Sequence, residues 1–150
     1  MEKITSKLRH RNLPLLLLQA REAVLGEFRP LLNQQGVTEQ QWRVIRALAS
    51  HGPMEPRQIG AMCCISGPSL TGILARMDAV GLILRSRLEQ DQRRLLVSLT
   101  DAARQVVSEL APQVEARYRE LEALVGADFT ALLYEMLDAL VMRLGVPEGE

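Results

Sequence analysis

The chain has 150 residues, of which 47% are hydrophobic and only 3% aromatic, so it can form one domain with an aliphatic core. Its two cysteines, Cys63 and Cys64, are adjacent and cannot plausibly bond to each other, which excludes a disulfide scaffold and fits a reducing cytoplasm. The longest early apolar run, Leu13–Leu18, is too short to cross a membrane, and no signal-peptide pattern precedes it. We therefore expect a cytoplasmic protein with no membrane partner.

Charge is unevenly distributed, although the formal net charge is zero. Residues 1–104 contain 15 Lys and Arg against 9 Asp and Glu, whereas residues 105–150 contain 3 against 9. A net charge of zero would by itself argue against a nucleic-acid-binding protein. The asymmetry instead predicts one part that faces an anion and one that faces away from it. A simple solvating role for the acidic residues of the last helices is also compatible with this pattern.

Residues 1–12 are polar and basic, and we expect them to form a partly ordered arm. The first helix begins at Leu13, tolerates Pro14 in its first turn and continues past Phe28 toward Gln35. Its apolar residues wrap too far around the axis for a helix with one buried face. In so small a chain, a second subunit could cover the extra face.

The run Thr38-Glu-Gln-Gln41 has the pattern of a capping box, which predicts a second helix over Glu39–Ser50. A loop with Gly and Pro follows this helix. A short helix is then predicted over Gln58–Cys64, with Ile59 and Met62 on one face.

The next helix is predicted over Ser69–Val80, after Ser66 as its cap and Pro68 near its first turn. Apolar residues recur there at spacings of three and four, so one face is buried. The opposite face carries small or hydrogen-bonding side chains and one cation, namely Ser69, Thr71, Gly72, Ala75 and Arg76. Such a face can lie close to base edges in the major groove of DNA. Gly81 is expected to end the helix.

Two short strands, Leu82–Arg87 and Leu95–Leu99, predict a hairpin. Its arginines outnumber its acidic residues; they are Arg85, Arg87, Arg93 and Arg94. A hairpin tip of this kind can reach a minor groove, where the phosphate potential favours cations. Asp91 lies two residues before Arg93, close enough to orient its guanidinium. The region from Gln58 to Thr100 is thus typical of a winged helix-turn-helix.

Two long helices complete a fold that we expect to be mainly α (α+β). The first is predicted over Asp101–Val125, where Pro112 favours a kink or a break near Ser108. Asp128 is expected to cap the second, which ends at Leu144 and has a broad apolar face.

The sequence contains no Ser-His-Asp set, no metal-spaced Cys/His cluster and no glycine-rich phosphate loop. Its only histidines are His10 and His51. We therefore expect no enzymatic activity, no metal and no cofactor. A winged helix used only for protein contacts is the alternative to a DNA-binding one, and the salt dependence of duplex binding would separate the two.

The order of these elements resembles that of the MarR family of dimeric bacterial transcription regulators. The resemblance covers about Leu13 to Leu144, and local features that carry it are Gly81-Leu-Ile83 with Arg85, Asp91-Gln-Arg93 and Val97-Ser-Leu-Thr100. Further segments look like a subfamily, the repressors of homoprotocatechuate (4-hydroxyphenylacetate) degradation: Leu16–Ala23, Thr38–Arg43, Pro68–Leu74 and Asp91–Arg94.

The resemblance implies one domain over residues 1–150, with a winged unit over 38–100 and dimerisation helices over 1–35 and 101–145. It implies a homodimer that binds double-stranded operator DNA. The DNA-binding residues would be Ser66, Gly67, Ser69, Thr71, Arg76, Asp91, Arg93 and Arg94. Ser69 and Thr71 suit phosphates as well as bases, and Arg94 could equally be a solvated charge.

Members of the family commonly bind aromatic carboxylates between the dimer base and the DNA-binding unit. Arg21 lies in an otherwise apolar helix and could bind such a carboxylate, or else form a salt bridge. Trp42 could form an aromatic wall or simply pack in the core, and His10 could add a donor across the dimer. The resemblance thus implies a repressor of an aromatic-acid catabolic operon that its effector releases. Oxidation of Cys63 or Cys64 is the alternative sensing chemistry.

Overall fold

The computed structural model describes residues 7–145, which form six helices and a two-stranded antiparallel sheet. In chain order the elements are α1 Leu13–Gln34, α2 Glu39–His51, α3 Pro56–Cys63, α4 Gly67–Ala79, β1 Ile83–Arg87, β2 Leu95–Leu99, α5 Asp101–Val125 and α6 Ala127–Leu144. The predicted fold class, mainly α with a winged helix-turn-helix, is confirmed. The first half of the expected N-terminal arm lies outside the described residues.

The buried residues form two hydrophobic clusters. The larger one joins α2, α3, α4, the hairpin and the start of α5, and its fully buried members include Ile45, Ile59 and Met77. The smaller one lies between α1 and α5, around Phe28 and Leu110. Trp42 of α2 packs against both clusters. Helix α2 therefore connects the reading unit, α3 to β2, to the helical base formed by α1, α5 and α6.

Local hydrogen bonds explain where α2 and α3 begin. Thr38 Oγ1 accepts from the Gln41 amide at 3.1 Å and Gln41 Oε1 accepts from the Thr38 amide at 3.2 Å, so the capping box is confirmed. Helix α3 begins two residues earlier than predicted, at Pro56, because proline suits the first helical turn. Ile59 and Cys63 pack in the core, whereas Met62 is 47% exposed.

Two predictions about the last helices need correction. Helix α5 runs unbroken through Pro112, so the break near Ser108 is wrong, whereas the kink stays a prediction. Since Ser108 and Pro112 are both exposed, water can satisfy the carbonyl that lacks its N–H partner. Asp128 does not cap α6; Gly126 occupies the cap position without a side-chain bond, and Asp128 lies in the first turn, where its charge favours the helix dipole.

The hairpin is held to the body through a residue that precedes α3. Strands β1 and β2 pair from Ile83 with Leu99 to Arg87 with Leu95. On the other side of β2, the Met54 amide donates to the Val97 carbonyl at 3.0 Å and the Val97 amide donates back at 2.8 Å. We call the hairpin from Ile83 to Leu99 the wing. These two bonds fix it against α3, the first helix of the helix-turn-helix.

Large apolar surfaces of the base lie open in the single chain. No residue of α6 is buried, and its exposed apolar side chains include Leu132, Leu133, Met136, Leu137 and Val141. Helix α1 adds Leu13, Leu15, Leu17, Leu18 and Val24. A monomer rarely exposes such contiguous apolar area, so these faces have the character of an interface.

Within residues 7–145, no single helix is long and apolar enough to cross a bilayer. Only α3 and α4 taken together, at a bend of 111°, pass such a test of length and composition.

Candidate functional site

The N-terminal end of α4 presents an exposed group of hydroxyls. Ser66 Oγ accepts from the Ser69 amide at 3.4 Å, as predicted for a cap, and donates to Ser69 Oγ at 3.0 Å. Thr71 Oγ1 donates to the Gly67 carbonyl at 3.0 Å. Each hydroxyl keeps acceptor capacity and faces solvent, so all three are available to phosphate or base edges.

Arg76 lies against the same exposed surface because Gly72 has no side chain. A Cβ added at position 72 would lie 3.3 Å from Arg76 Nη1 and 3.7 Å from its Nη2. The guanidinium therefore folds back by one helical turn and covers the backbone of α4. This places a positive charge among the hydroxyls that precede it.

The wing tip has a different internal geometry from the one predicted. Asp91 Oδ1 accepts from the main-chain amide of Arg93 at 3.0 Å, and no bond among the described residues joins it to the Arg93 guanidinium. The expectation that Asp91 orients that guanidinium is therefore wrong for this structure. A carboxylate two residues before an amide readily closes a local turn, which leaves the Arg93 guanidinium facing solvent.

Among residues 7–145, Arg94, unlike Arg93, forms an ion pair. Its Nε donates to Glu55 Oε1, beside the start of α3, and this bond is the main cause that raises the pKa of Arg94. A second ion pair joins the wing to the end of α4, between Arg85 Nε and Asp78 Oδ2 at 3.1 Å.

A cavity of about 370 Å³ lies where the helical base meets the reading unit. Its walls are mostly apolar and include Leu25, Phe28, Leu32, Trp42, Ala47, Met62, Val114 and Tyr118. Its polar lining consists of Glu39, Arg43, Arg46, Ser50 and Cys63. Trp42 lines this cavity as well as packing against the core, and its part in effector binding stays a prediction.

Arg43 is fully engaged within the cavity wall. It donates to both carboxylate oxygens of Glu39, at 3.0 and 2.8 Å, and to the carbonyl of Cys63 at 2.6 Å. The Glu39 hydrogen bond is the main cause that raises the pKa of Arg43. Burial opposes ionisation of Glu39, yet Arg43 and Arg21 lower the pKa of that carboxyl below its usual value.

Arg21 was predicted to bind a ligand, but it does not line the cavity. Its guanidinium lies 3.2 Å from Glu39 Oε2 and 3.7 Å from Glu22 Oε1, with the side chain about half exposed. The salt-bridge alternative therefore describes this residue. A continuous series of charge-assisted contacts, which we call the relay, connects α1 to the end of α3. It runs from Arg21 to Glu39, from Glu39 to Arg43 and from Arg43 to the Cys63 carbonyl.

His10 lies apart from Trp42 in the single chain. It borders a separate surface depression with Lys7, Leu8, Arg9 and Asn12, just before α1. Its proposed role would require the arm of a second copy, and it stays a prediction.

Sequence reasoning missed Arg46 and Tyr118. No carboxylate among residues 7–145 lies within ion-pair distance of Arg46. Tyr118 of α5 packs on Phe28 with ring centroids 4.6 Å apart. Arg46 follows Trp42 by four residues and thus shares its helix face, a signal that could have found it. Nothing local in the sequence indicates that Tyr118 joins them.

The cysteines differ in environment. Cys63 is buried, and burial raises the pKa of its thiol despite the nearby Arg43. Its Sγ donates weakly to the Arg43 carbonyl at 3.6 Å. Cys64 is exposed and takes a left-handed conformation, with φ of 52°, in the turn before α4. A buried thiol with a raised pKa is a poor nucleophile, which disfavours oxidation at Cys63.

Comparison with known proteins places this arrangement among transcription regulators. The MarR family model matches residues 37–95. The chain is 39% identical to the HTH-type transcriptional regulator FarR of Neisseria gonorrhoeae, over 88% of this chain and 90% of that protein. It is 40% identical to the homoprotocatechuate degradative operon repressor of Escherichia coli, over 88% and 89%. The solved structure of NadR in complex with 4-hydroxyphenylacetate has 38% identity and a TM-score of 0.75, over 91% of this chain and 97% of that one.

The Gly72–Arg76 contact predicts that Gly72→Ala weakens DNA binding. The new methyl group would lie 3.3 Å from Arg76 Nη1, so the guanidinium must shift by a few tenths of an ångström, while the helix itself gains about 0.8–1 kcal/mol of intrinsic propensity. We expect about two- to threefold lower affinity for a duplex carrying the gene's own promoter region, since the shift would weaken but not remove an arginine contact worth about 1–3 kcal/mol. Fluorescence anisotropy would measure the affinity.

Gly26→Ala is the matched control, because it adds the same methyl group to a helix where nothing lies within 4 Å. It should leave DNA affinity unchanged. Equal affinities for the Gly72→Ala variant and the unmodified protein would contradict a role for the Arg76 conformation.

Proposed function

From the premise that this chain belongs to the MarR family, we propose that it is a dimeric repressor of an operon for the breakdown of an aromatic acid, released from DNA by an aromatic carboxylate. Proteins of this family are transcription regulators and not enzymes. The effector class, the operon and the dimer are the parts that we propose.

One observation carries the effector proposal: Arg46, which has no carboxylate partner among residues 7–145, lines a mostly apolar cavity that Trp42 and Tyr118 also line. A carboxylate suits the planar donor array of an arginine. An aromatic ring suits the apolar walls. The volume of about 370 Å³ lies at the lower end of the range for ligand pockets. Two relatives support an arylacetate as the ligand: the repressor of the homoprotocatechuate degradative operon, and NadR, which was solved in complex with 4-hydroxyphenylacetate.

The open apolar faces of α1 and α6 support a homodimer. Their burial against the same faces of a second copy would remove large apolar side chains from water, which is the main driving force for association. Two copies would bring two α4 helices to one side of a duplex, with half-sites about ten base pairs apart or a multiple of that. The arm that carries His10 would then be available to a neighbouring cavity.

The relay from Arg21 through Glu39 and Arg43 to the Cys63 carbonyl supports a route for release. Glu39, Arg43 and Cys63 all line the cavity, so a bound carboxylate near Arg46 changes the electrostatic balance of the relay. Arg43 holds the last turn of α3, and the turn after α3 sets the position of α4. Ligand and DNA would oppose each other if the ligand-bound position of α4 mismatches the operator.

Redox sensing was the alternative function, and the geometry at Cys63 offers it no support. Its thiol is buried and its pKa is raised, mainly by that burial. Cys64 is exposed but is a single thiol without a second described cysteine beyond Cys63. We therefore propose no oxidant as effector.

The effector proposal predicts that Arg46→Gln loses ligand binding. We expect 4-hydroxyphenylacetate to quench or shift Trp42 fluorescence in the unmodified protein and to release it from its promoter duplex. Because a charge-assisted hydrogen bond is worth about 1.5–3 kcal/mol, the Arg46→Gln variant should bind about 10- to 150-fold more weakly. The control is Arg119→Gln, an exposed arginine that does not line the cavity. An equal ligand affinity of both variants would refute the assignment of Arg46.

The dimer proposal predicts that Leu137→Glu yields monomers. A carboxylate on the apolar face of α6 cannot be buried without a partner, so it should prevent association. Sedimentation velocity would show the shift from dimer to monomer. Val80→Glu, which changes an isolated exposed valine of the reading unit, should leave the dimer intact. A monomeric unmodified protein would overturn the proposal.

The relay predicts that Glu39→Gln reduces the coupling between ligand and DNA. The variant loses the negative charge that holds Arg43 and Arg21, so ligand binding should change DNA affinity less than in the unmodified protein. Coupling factors in such systems are about 5- to 150-fold, and we expect the variant to retain only a small part of the measured factor. Glu22→Gln, which removes an exposed partner of Arg21 outside the cavity, is the control. Full coupling in both variants would exclude the relay.

A further inference from the structure

Arg94 lies where it can fix the orientation of the loop between β1 and β2. Arg94 directly precedes β2, and its main chain closes the hairpin loop: its amide donates to the Asp91 carbonyl at 3.1 Å, and its carbonyl accepts from the Leu88 amide at 3.1 Å. Arg93, the exposed cation of the tip, is its immediate neighbour. Any rotation of the loop about the start of β2 therefore moves Arg93.

The partner of Arg94 belongs to a rigid part of the body. Glu55 follows Met54, whose main chain is paired with Val97 of β2, and it precedes the first residue of α3. The Glu55 amide donates to Gln58 Oε1 at 3.0 Å, so its own backbone is fixed. The Glu55 side chain is only 26% exposed, against 55% for Arg94. The carboxylate is thus the anchored half of the pair.

The Arg94–Glu55 pair joins elements that are 39 positions apart in sequence. It adds a side-chain tie at the loop end of β2, whereas the Met54–Val97 bonds hold the middle of that strand. Among the described residues, the loop between β1 and β2 is otherwise held through its two strand ends and by the Arg87 guanidinium, which donates to the Arg93 carbonyl at 3.3 Å. The pair therefore fixes the loop relative to α3 and, through α3, relative to α4.

We propose that Arg94 is a positioning residue for DNA recognition: through Glu55 it sets the orientation of the loop that carries Arg93, and it is not itself a phosphate ligand. This replaces the expectation that Arg94 binds DNA directly. It concerns the DNA-binding activity of the family and does not depend on the identity of the effector.

The two roles of Arg94 make opposite predictions for Glu55→Gln. If Arg94 bound phosphate, Glu55 would compete with DNA for it and repel the backbone, so its neutralisation would tighten binding. If Arg94 positions the loop, the same change loosens the wing and weakens binding. The substitution keeps the size of the side chain and leaves the Glu55 amide bond to Gln58 in place.

The experiment measures binding of the full chain to a fluorescein-labelled duplex of its own promoter region, at several salt concentrations. We expect Glu55→Gln and Arg94→Gln each to weaken binding about two- to fivefold, the range of an exposed ion pair. The double variant should be no weaker than either single variant. The slope of log affinity against log salt should stay unchanged, whereas Arg93→Gln should reduce it by about 0.9, the value for one phosphate contact.

A reversed pair, Glu55→Arg with Arg94→Glu, is compared with Arg94→Glu alone. Because Glu55 is also the cap residue of α3, circular dichroism and the thermal unfolding midpoint must first show that the reversed pair folds like the unmodified protein. Recovery of DNA affinity above that of Arg94→Glu alone supports positioning, because the tie is restored with the charges exchanged. Tighter binding by Glu55→Gln, a reduced salt slope for Arg94→Gln, or no recovery in the reversed pair would overturn it and return Arg94 to the phosphate-binding residues.

Discussion

The contact between Arg43 and the carbonyl of Cys63 is the constraint on which the rest of the structure depends. It connects α2 to the end of α3 at 2.6 Å, and the same guanidinium is held by Glu39. The two hydrogen bonds from Arg43 to the Glu39 carboxylate leave the guanidinium little freedom. Its third bond, to the Cys63 carbonyl, therefore fixes the distance between α2 and the end of α3. Because Trp42 beside it packs against both hydrophobic clusters, α2 is a direct packing connection between the base and the reading unit.

Charge and exposed apolar surface are distributed differently between the reading unit and the helical base. The basic half of the sequence supplies the exposed hydroxyls and arginines of α4 and the wing, whereas the acidic half forms most of the helical base. A base with excess negative charge is repelled by DNA, which favours one orientation of the molecule on the duplex. The exposed apolar faces of α1 and α6 lie on this base, so the proposed dimer and the proposed DNA contacts would use separate surfaces.

Features set by local sequence were predictable. The caps at Thr38 and Ser66 and the buried spacing of α4 depend on residues within four positions of each other, and each was found from the sequence. The contacts that were missed join distant positions. Arg21 meets Glu39 across 18 residues and Arg94 meets Glu55 across 39, so no local pattern could distinguish an ion pair from a free cation. Tyr118 of α5 also lines the cavity. Its position there could not be predicted, because it depends on how α5 packs on α1.

The main-chain bonds between Met54 and Val97 also protect the protein from unwanted self-assembly. A two-stranded sheet has two open edges, and an open edge is a template for strand addition and aggregation. The Met54 segment blocks the edge of β2. The other edge, β1, carries Arg85 and Arg87, whose like charges oppose the approach of the same strand from another molecule. The wing can therefore project into solvent at high local protein concentration, as occurs along DNA, without pairing with its neighbours.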